Sequence, residues 1–412
     1  MKVAIIGGGL GGLLAGAALS KDNEVRVFER LDMYGGRFTN LPYKGFQLST
    51  GALHMIPHGN TGPLANLLRQ VGADVKIVRC KPDGCIMKKD NTQISFYSFR
   101  ELLSPSAQAK VPIVMAKMLI QRKGTVAEMV GNDPEWLPIT DSCCGWALST
   151  LSKDTPSSEA AGIIKHTIGG GPGKYNIPGV PMGGCKAVVD SLVKVIEANG
   201  GRIELNSKVD SVLVDGGKAK GVTVNGEKVE ADIVVSDIGH KLTSELYDAG
   251  QMNPKYAAVL QKLKPSAGIK ICLAAEEPLV GHGSVLFTPY TQRINGINEV
   301  THIDPSLAPE GMHLTMSHQT MRTNDVQSEI KLGLQDLKNL FSGKKYSVLL
   351  VQSYRDDWPV NRIASGFDMG NLTPAKGLYI VGDGAKGKGY IEVEGVASGV
   401  VSLLDTLKKQ NS

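Results

Sequence analysis

Several features that would fix a function at once are missing from these 412 residues. The six cysteines, Cys80, Cys85, Cys143, Cys144, Cys185 and Cys272, show no metal-ligand spacing, and adjacency disfavours an ordinary disulfide between Cys143 and Cys144. Buried thiols in a reducing cytoplasm are expected. No apolar run approaches the length of a membrane span, and the chain enters its first strand at once, without a signal peptide. The expected location is therefore cytoplasmic, with peripheral membrane association left open. Charge of one sign is not concentrated either: 45 basic and 40 acidic residues are mixed along the chain, and no basic block interleaved with aromatics supports nucleic-acid binding. No Ser-His-Asp constellation, carboxylate dyad or metal cluster stands out, so the chemistry is sought in a cofactor. The length exceeds what one core usually supports, which predicts two domains.

Glycine is what the chain does have. A strand is expected at Lys2 to Ile6, a glycine turn at Gly7 to Gly12, and a helix at Leu13 to Leu19. Gly7 permits the sharp turn, Gly9 lets the backbone approach a pyrophosphate, and Gly12 lets the helix lie on the strand; Leu10 and Gly11 lie between them. A second strand, Glu24 to Phe28, ends at Glu29-Arg30, and Glu29 falls about twenty residues after the turn, where this unit hydrogen-bonds a ribose. Gly382, Gly384 and Gly387 fit the same expression, but Asp383 interrupts them and no helix follows at once, so the dinucleotide site is assigned to the first copy. The loop to Arg37 carries Gly35 and Gly36, which again allow close approach.

The pattern changes from about residue 76 to 177. Strands are expected at Lys76 to Val78 and Ile94 to Tyr97, then helices at Val111 to Gln121 and Pro156 to His166. After the turn at Pro178 to Gly184, a helix from Lys186 to Asn199 leads into strands at Arg202 to Leu205, Val209 to Val214 and Gly221 to Val224. With the apolar run Ala231 to Ser236, these are expected to return to the first sheet. A second visit to the inserted domain covers 246 to 354, with a strand at Gly268 to Ala274. A short strand ending at Gly382-Asp383 and a helix from Val393 to Lys408 close the chain. The expected fold class is α/β, a Rossmann-like parallel sheet with helices over 1–75, 178–245 and 355–412, and a discontinuous α+β substrate domain over 76–177 and 246–354. The stretch Ile168 to Gly173 is read as a domain connection, since a proline and the lack of a following helix argue against a nucleotide loop.

Together these pieces resemble the flavin amine oxidase and phytoene desaturase superfamily, through Gly7 to Gly12, Glu29-Arg30, Gly35-Gly36-Arg37, the Pro181 to Gly184 turn with Val209 beyond it, and Gly382-Asp383 with Gly395-Val396. The resemblance implies an FAD oxidoreductase. By it, Glu29 would hold the adenosine ribose, Arg37 the phosphate region and the Val209 backbone the adenine. Asp383 would face the ribityl and pyrophosphate linkage, and the helix end near Gly395 and Val396 would approach the flavin ring. Gly51, Ala52 and Leu53 would pass under the ring as backbone, although Ser49 stands where many relatives carry an acid. His54 beside them reads more readily as a packed histidine than as a catalytic one. The closing segment holds no cysteine, so noncovalent FAD is expected. No second dinucleotide unit is present, and no NAD(P)H site is predicted.

Lys270 is the catalytic candidate. It places one charge in the apolar strand Ile269 to Leu273, and the family has a lysine in a similar strand that reaches flavin N5 through water; the alternative is the exposed face of an edge strand. Val111 to Ile120, followed by Gln121-Arg122-Lys123, reads as a buried helix of the second domain or as a lipid entrance touching a membrane. The expected substrate is a small apolar molecule, polyisoprenoid or carotenoid-like, as in the desaturases. An amine oxidase, a protoporphyrinogen oxidase-like enzyme, a carotenoid isomerase, or a scaffold for prenylated partners like the Rab-escort and GDP-dissociation-inhibitor proteins are the alternatives. The electron acceptor and the oligomeric state stay open.

Overall fold

A computed structural model describes residues 1–51, 53–121, 123–168, 177–247, 253–364 and 366–411. The stretch Gly169 to Gly173 and Ala52 lie outside the described residues. A five-stranded parallel sheet is built from β1 (Lys2–Ile6), β2 (Glu24–Phe28), β9 (Arg202–Glu204), β13 (Ile233–Ser236) and β19 (Leu378–Ile380), in the order β19-β13-β1-β2-β9. Such a strand is covered on both faces, so it reads as an unbroken apolar run; Val3 to Ile6 and Ile233 to Ser236 are buried throughout. On one face α1 (Leu10–Leu19) packs with α2 (Pro63–Val71), α8 (Cys185–Ala198) and α12 (Glu392–Asn411) through Leu13, Leu14, Leu64, Leu192, Ile196 and Leu403.

The sequence expectation for the other face is corrected. Arg202–Glu204 and Ile233–Ser236 do join the first sheet, but β10 (Val209–Asp215), β11 (Lys218–Val224) and β12 (Glu227–Glu230) form a separate antiparallel sheet. That sheet lays Val212, Ala219 and Val222 on Ala4, Ile6 and Val234. Alternation marks strands with one wet face, which belong to such hairpins and not to a covered parallel sheet. A second correction concerns α1, which begins at Leu10 and not Leu13. Gly9 is the extended N-cap, and Gly11 and Gly12 are already helical; glycine is required at position 12 because a Cβ there would collide with the Gly7 carbonyl.

A seven-stranded sheet forms the second layer. It comprises β6 (Cys85–Met87), β7 (Gln93–Ser95), β14 (Gly268–Ala275), β15 (Val285–Phe287), β16 (Ile294–Glu299), β17 (His313–Thr320) and β18 (Ser347–Tyr354), ordered β18-β14-β17-β16-β15-β6-β7. Along β14 the side chains alternate. Ile269, Ile271 and Leu273 face α11 (Val326–Leu340) through Leu337 and Phe341, while Cys272 and Ala274 pack toward Phe46 and Leu48 of the hairpin β3 (Asn40–Tyr43) and β4 (Phe46–Ser49). Lys270 shares the parity of Cys272. Two further strands, β5 (Ile77–Arg79) and β8 (Gly179–Pro181), pair antiparallel.

Helices α3 (Pro105–Gln108), α4 (Val111–Ile120), α5 (Val126–Met129), α6 (Trp136–Leu148) and α7 (Ser157–Ile168) gather at the β6 end of this sheet, with Ile86, Val114, Trp136 and Ile139 in one core. Short helices α9 (Gly239–Ser244) and α10 (Pro254–Leu260) follow β13. The two sheets and this helical group leave a cavity between them.

Candidate active site

The cavity measures about 1030 Å³ and runs from the opening glycine turn to the α4–α7 helices. Its first end is walled by backbone. Gly7, at φ +94°, Gly9, Leu10 and Gly11 line it, where the N-terminus of α1 turns its backbone toward the cavity. Side chains do not fit there: a Cβ at Gly11 would stand 2.5 Å from the Gly382 nitrogen, and one at Gly9 would strike the Asp237 carboxylate.

Glu29 is buried beside this turn. Its Oε2 accepts the Gly8 N–H at 2.8 Å and its Oε1 the Leu31 N–H at 2.9 Å, so the carboxylate is fixed with lone pairs to spare. Arg30 and Val209 line the same end, as do Ser207 and Lys208. Gly36, at φ +54°, faces the Gly9 backbone across it.

Two arginines and two carboxylates follow. Arg37 pairs with Asp383 at 2.8 Å and donates to the carbonyls of Pro359 at 2.8 Å and Val360 at 2.7 Å. The Arg362 N–H donates to Asp383 at 2.6 Å. Burial pushes the Asp383 carboxyl up, but Arg37, Arg362 and these hydrogen bonds outweigh it and hold it below its ordinary range. Asp237, which sequence reasoning missed, lies among Gly9, Gly11 and Gly382; burial raises its carboxyl to about 7 against the opposing Gly12 N–H, and Asp383 adds to the rise. Arg362 was missed as well. Among the described residues its buried Nε has no partner, and it lines the cavity, which suits a bound anion. The signal for Asp237 was position: it directly follows β13, the neighbour of β1, at the carboxyl edge where ligands bind.

Gly12 and Gly395 serve packing. Gly395 donates to the Ile391 carbonyl at 3.0 Å and accepts the Gly387 N–H at 2.9 Å behind the wall, while Val396 lines the cavity. Gly51 and Leu53 also line it. Lys270 stands behind that loop: it is 1 % exposed, donates to the Ser49 carbonyl, and reaches the Ser49 hydroxyl at 2.7 Å. The edge-strand alternative fails, because β14 is paired on both sides, Lys270 opposite His318 and Gln352. Burial lowers its pKa. His54 is a packing residue, its Nδ1 accepting the Cys185 N–H at 3.1 Å and its Nε2 donating to the Gln47 carbonyl at 2.7 Å.

At the start of α12, Glu392 adopts φ +46° and lines the cavity; burial pushes its carboxyl up to about 8, with Lys386 opposing and Glu394 adding. Glu394 is fully buried and accepts the His58 N–H at 3.0 Å and the Leu64 N–H at 2.8 Å, which caps α2. Tyr390 stacks on His166 with centroids 4.0 Å apart. Beyond lies an apolar arm lined by Phe96, Phe99, Met115, Met118, Met129 and Trp136, of which the sequence pointed only to Met115 and Met118, within Val111 to Ile120. Elsewhere Glu299, His302 and His313 come together, but Glu299 already accepts from Leu279, Val280, Gly281 and Thr315 and so clamps a loop.

Comparison with known proteins agrees with this geometry. Residues 168–398 match the flavin containing amine oxidoreductase family, and residues 5–71 the NAD(P)-binding Rossmann-like domain. The chain belongs to the flavin-containing amine oxidoreductase family and is a flavin-dependent oxidoreductase. A crystal structure of an oxidoreductase from Methanosarcina mazei is 48% identical, covers 98% of this chain and 100% of its own, and superposes with a TM-score of 0.92. An uncharacterized protein of Methanocaldococcus jannaschii is 46% identical over 98% of this chain and 99% of its own length. A zeta-carotene-forming phytoene desaturase of Myxococcus xanthus is 24% identical over 75% of this chain and 70% of its own.

Proposed function

We propose that the protein holds FAD noncovalently and uses it to take hydride from an apolar, polyisoprenoid or carotenoid-like substrate. Bound FAD supplies the hydride acceptor. In this reading the α1 N-terminus and the Arg362 guanidinium hold the diphosphate, Glu29 takes the adenosine ribose, and the Val209 backbone meets the adenine. Gly51 and Leu53 bound the flavin on one side, and the α12 N-terminus near Val396 bounds it on another. Lys270 is assigned as a positioning residue that fixes the Ser49–Gly51 loop and holds or releases a proton behind it. Cys80, Cys85, Cys143, Cys144, Cys185 and Cys272 are all distant in sequence from the closing segment, which supports a noncovalent link.

The observation that carries the substrate is the arm. Aromatic, methionine and isoleucine side chains line most of this arm, a surface suited to hold an apolar chain away from water, and methionines adapt to flexible hydrocarbon. The named activity of the Myxococcus xanthus relative supports the same reading. Anaerobic mixing with a polyene hydrocarbon tests it. Loss of the oxidised flavin absorbance with the hydrocarbon and not with aliphatic polyamines is expected; the reverse would replace this reading by an amine oxidase. Geometric rearrangement of the hydrocarbon with no net flavin reduction would replace it by an isomerase.

A further inference from the structure

Helix α4 contributes Met115 and Met118 to the wall of the apolar arm. One side of α4 buries Val111 and Val114 and turns Met115 and Met118 toward the cavity. Its other side leaves Ile113 62%, Leu119 48% and Ile120 75% exposed, so the sequence expectation of a buried helix is only half met. Tyr97 is 53% exposed in the cavity wall, in a turn whose Phe96 and Phe99 share the α4 core. Large apolar side chains gathered in this way mark an interaction site.

The charge around them identifies the partner. Between residues 96 and 123 the sequence carries Arg100, Lys110, Lys117, Arg122 and Lys123 against Glu101; Arg122 lies outside the described residues, and the neighbouring acids Glu135 and Glu128 are held by Ser104 and Thr125. Lys110 is engaged by Asp133 at 2.7 Å, while Arg100 and Lys123 are exposed. An apolar helix face rimmed by cations sits in the headgroup boundary of an anionic bilayer, its apolar side chains inserted and its Lys and Arg stems reaching up to the phosphates. We propose that the α4 face docks on an anionic membrane surface and that an apolar substrate passes between bilayer and cavity at this helix. The docking stands on α4 and its charges; the passage rests on the apolar substrate proposed above.

Sedimentation of the full-length protein with substrate-free vesicles tests docking alone. The protein is expected to pellet with phosphatidylcholine–phosphatidylglycerol vesicles, to bind pure phosphatidylcholine much less, and to be released by high salt. Ile113→Glu with Ile120→Glu is expected to lower the partition coefficient roughly a hundredfold, and Lys117→Glu roughly tenfold. The flavin content and melting temperature should stay unchanged, because Ile113 and Ile120 face solvent. A parent protein that stays in the supernatant, or a double variant that pellets as well as the parent, overturns the proposal. A parent that elutes as a dimer which the double variant dissolves overturns it too, since the face would then be a contact between copies. None of these outcomes bears on how the cavity reads, which the flavin bleaching test decides separately.

Discussion

Lys270 shows how far one residue can be read. Its lone charge in an apolar strand was visible in the sequence, but whether that strand was an edge or an interior one depends on pairings with β17 and β18 that no local pattern encodes. Lys270→Met is expected to leave FAD bound while slowing flavin reoxidation on the order of a hundredfold and flattening its pH profile. Stopped-flow traces equal to the parent's would remove Lys270 from the account. Asp237 gives a pH test with a definite sign. Its carboxyl is raised to about 7, so the folded protein keeps its proton where an ordinary carboxyl has lost it. The flavin-free protein should therefore lose stability as pH climbs from the usual carboxylate range through about 7, and a diphosphate held nearby should bind best below that pH. Affinity for FAD is expected to fall by up to roughly tenfold per pH unit above about 7 and to become flat in Asp237→Asn. Titration calorimetry showing the same pH dependence in both proteins would clear Asp237 of any role at the turn.

At the scale of elements, the parallel strands were the most legible. Val3 to Ile6 and Ile233 to Ser236 are short apolar runs bounded by glycine or polar residues, and covered parallel strands look like that. Strands β16 and β17 were not legible, although they are almost wholly buried. Their interior positions include Glu299, Thr315, Ser317 and Gln319, polar residues sustained by tertiary partners such as the Thr315–Glu299 bond at 2.8 Å. A sequence of that kind reads as a loop until the partners are known. Helix α1 was found but begun too late, because Gly11 and Gly12 look like turn residues and are there for close packing. Gly12→Val should lower stability by about 2 kcal/mol or more through collision with the Gly7 carbonyl, seen as a lower melting temperature. An unchanged melt would mean that the strand and helix can separate without cost.

Over the whole molecule, the glycine-turn end of the cavity was legible in the sequence, and of the apolar end only the α4 stretch was. The first is a local unit: one turn, one acid and one returning segment, each with a fixed spacing that leaves a mark in the sequence. The second is assembled from side chains as far apart as Phe96, Trp146, Phe287 and His318, whose common surface exists only once the helices stand against the second sheet. The same distinction sorts the charges, since Glu29 was read from spacing while Arg362 and Asp237 became visible only where the glycine turn and the closing segment meet. The central claim is that this meeting point cradles the diphosphate of a noncovalent FAD. It is tested most directly by incubating the purified protein with FAD, removing the excess, denaturing, and measuring flavin in the supernatant and in the precipitate. The account predicts close to one FAD per chain, all of it released into the supernatant; a protein that takes up no flavin, or a precipitate that stays yellow, would contradict it.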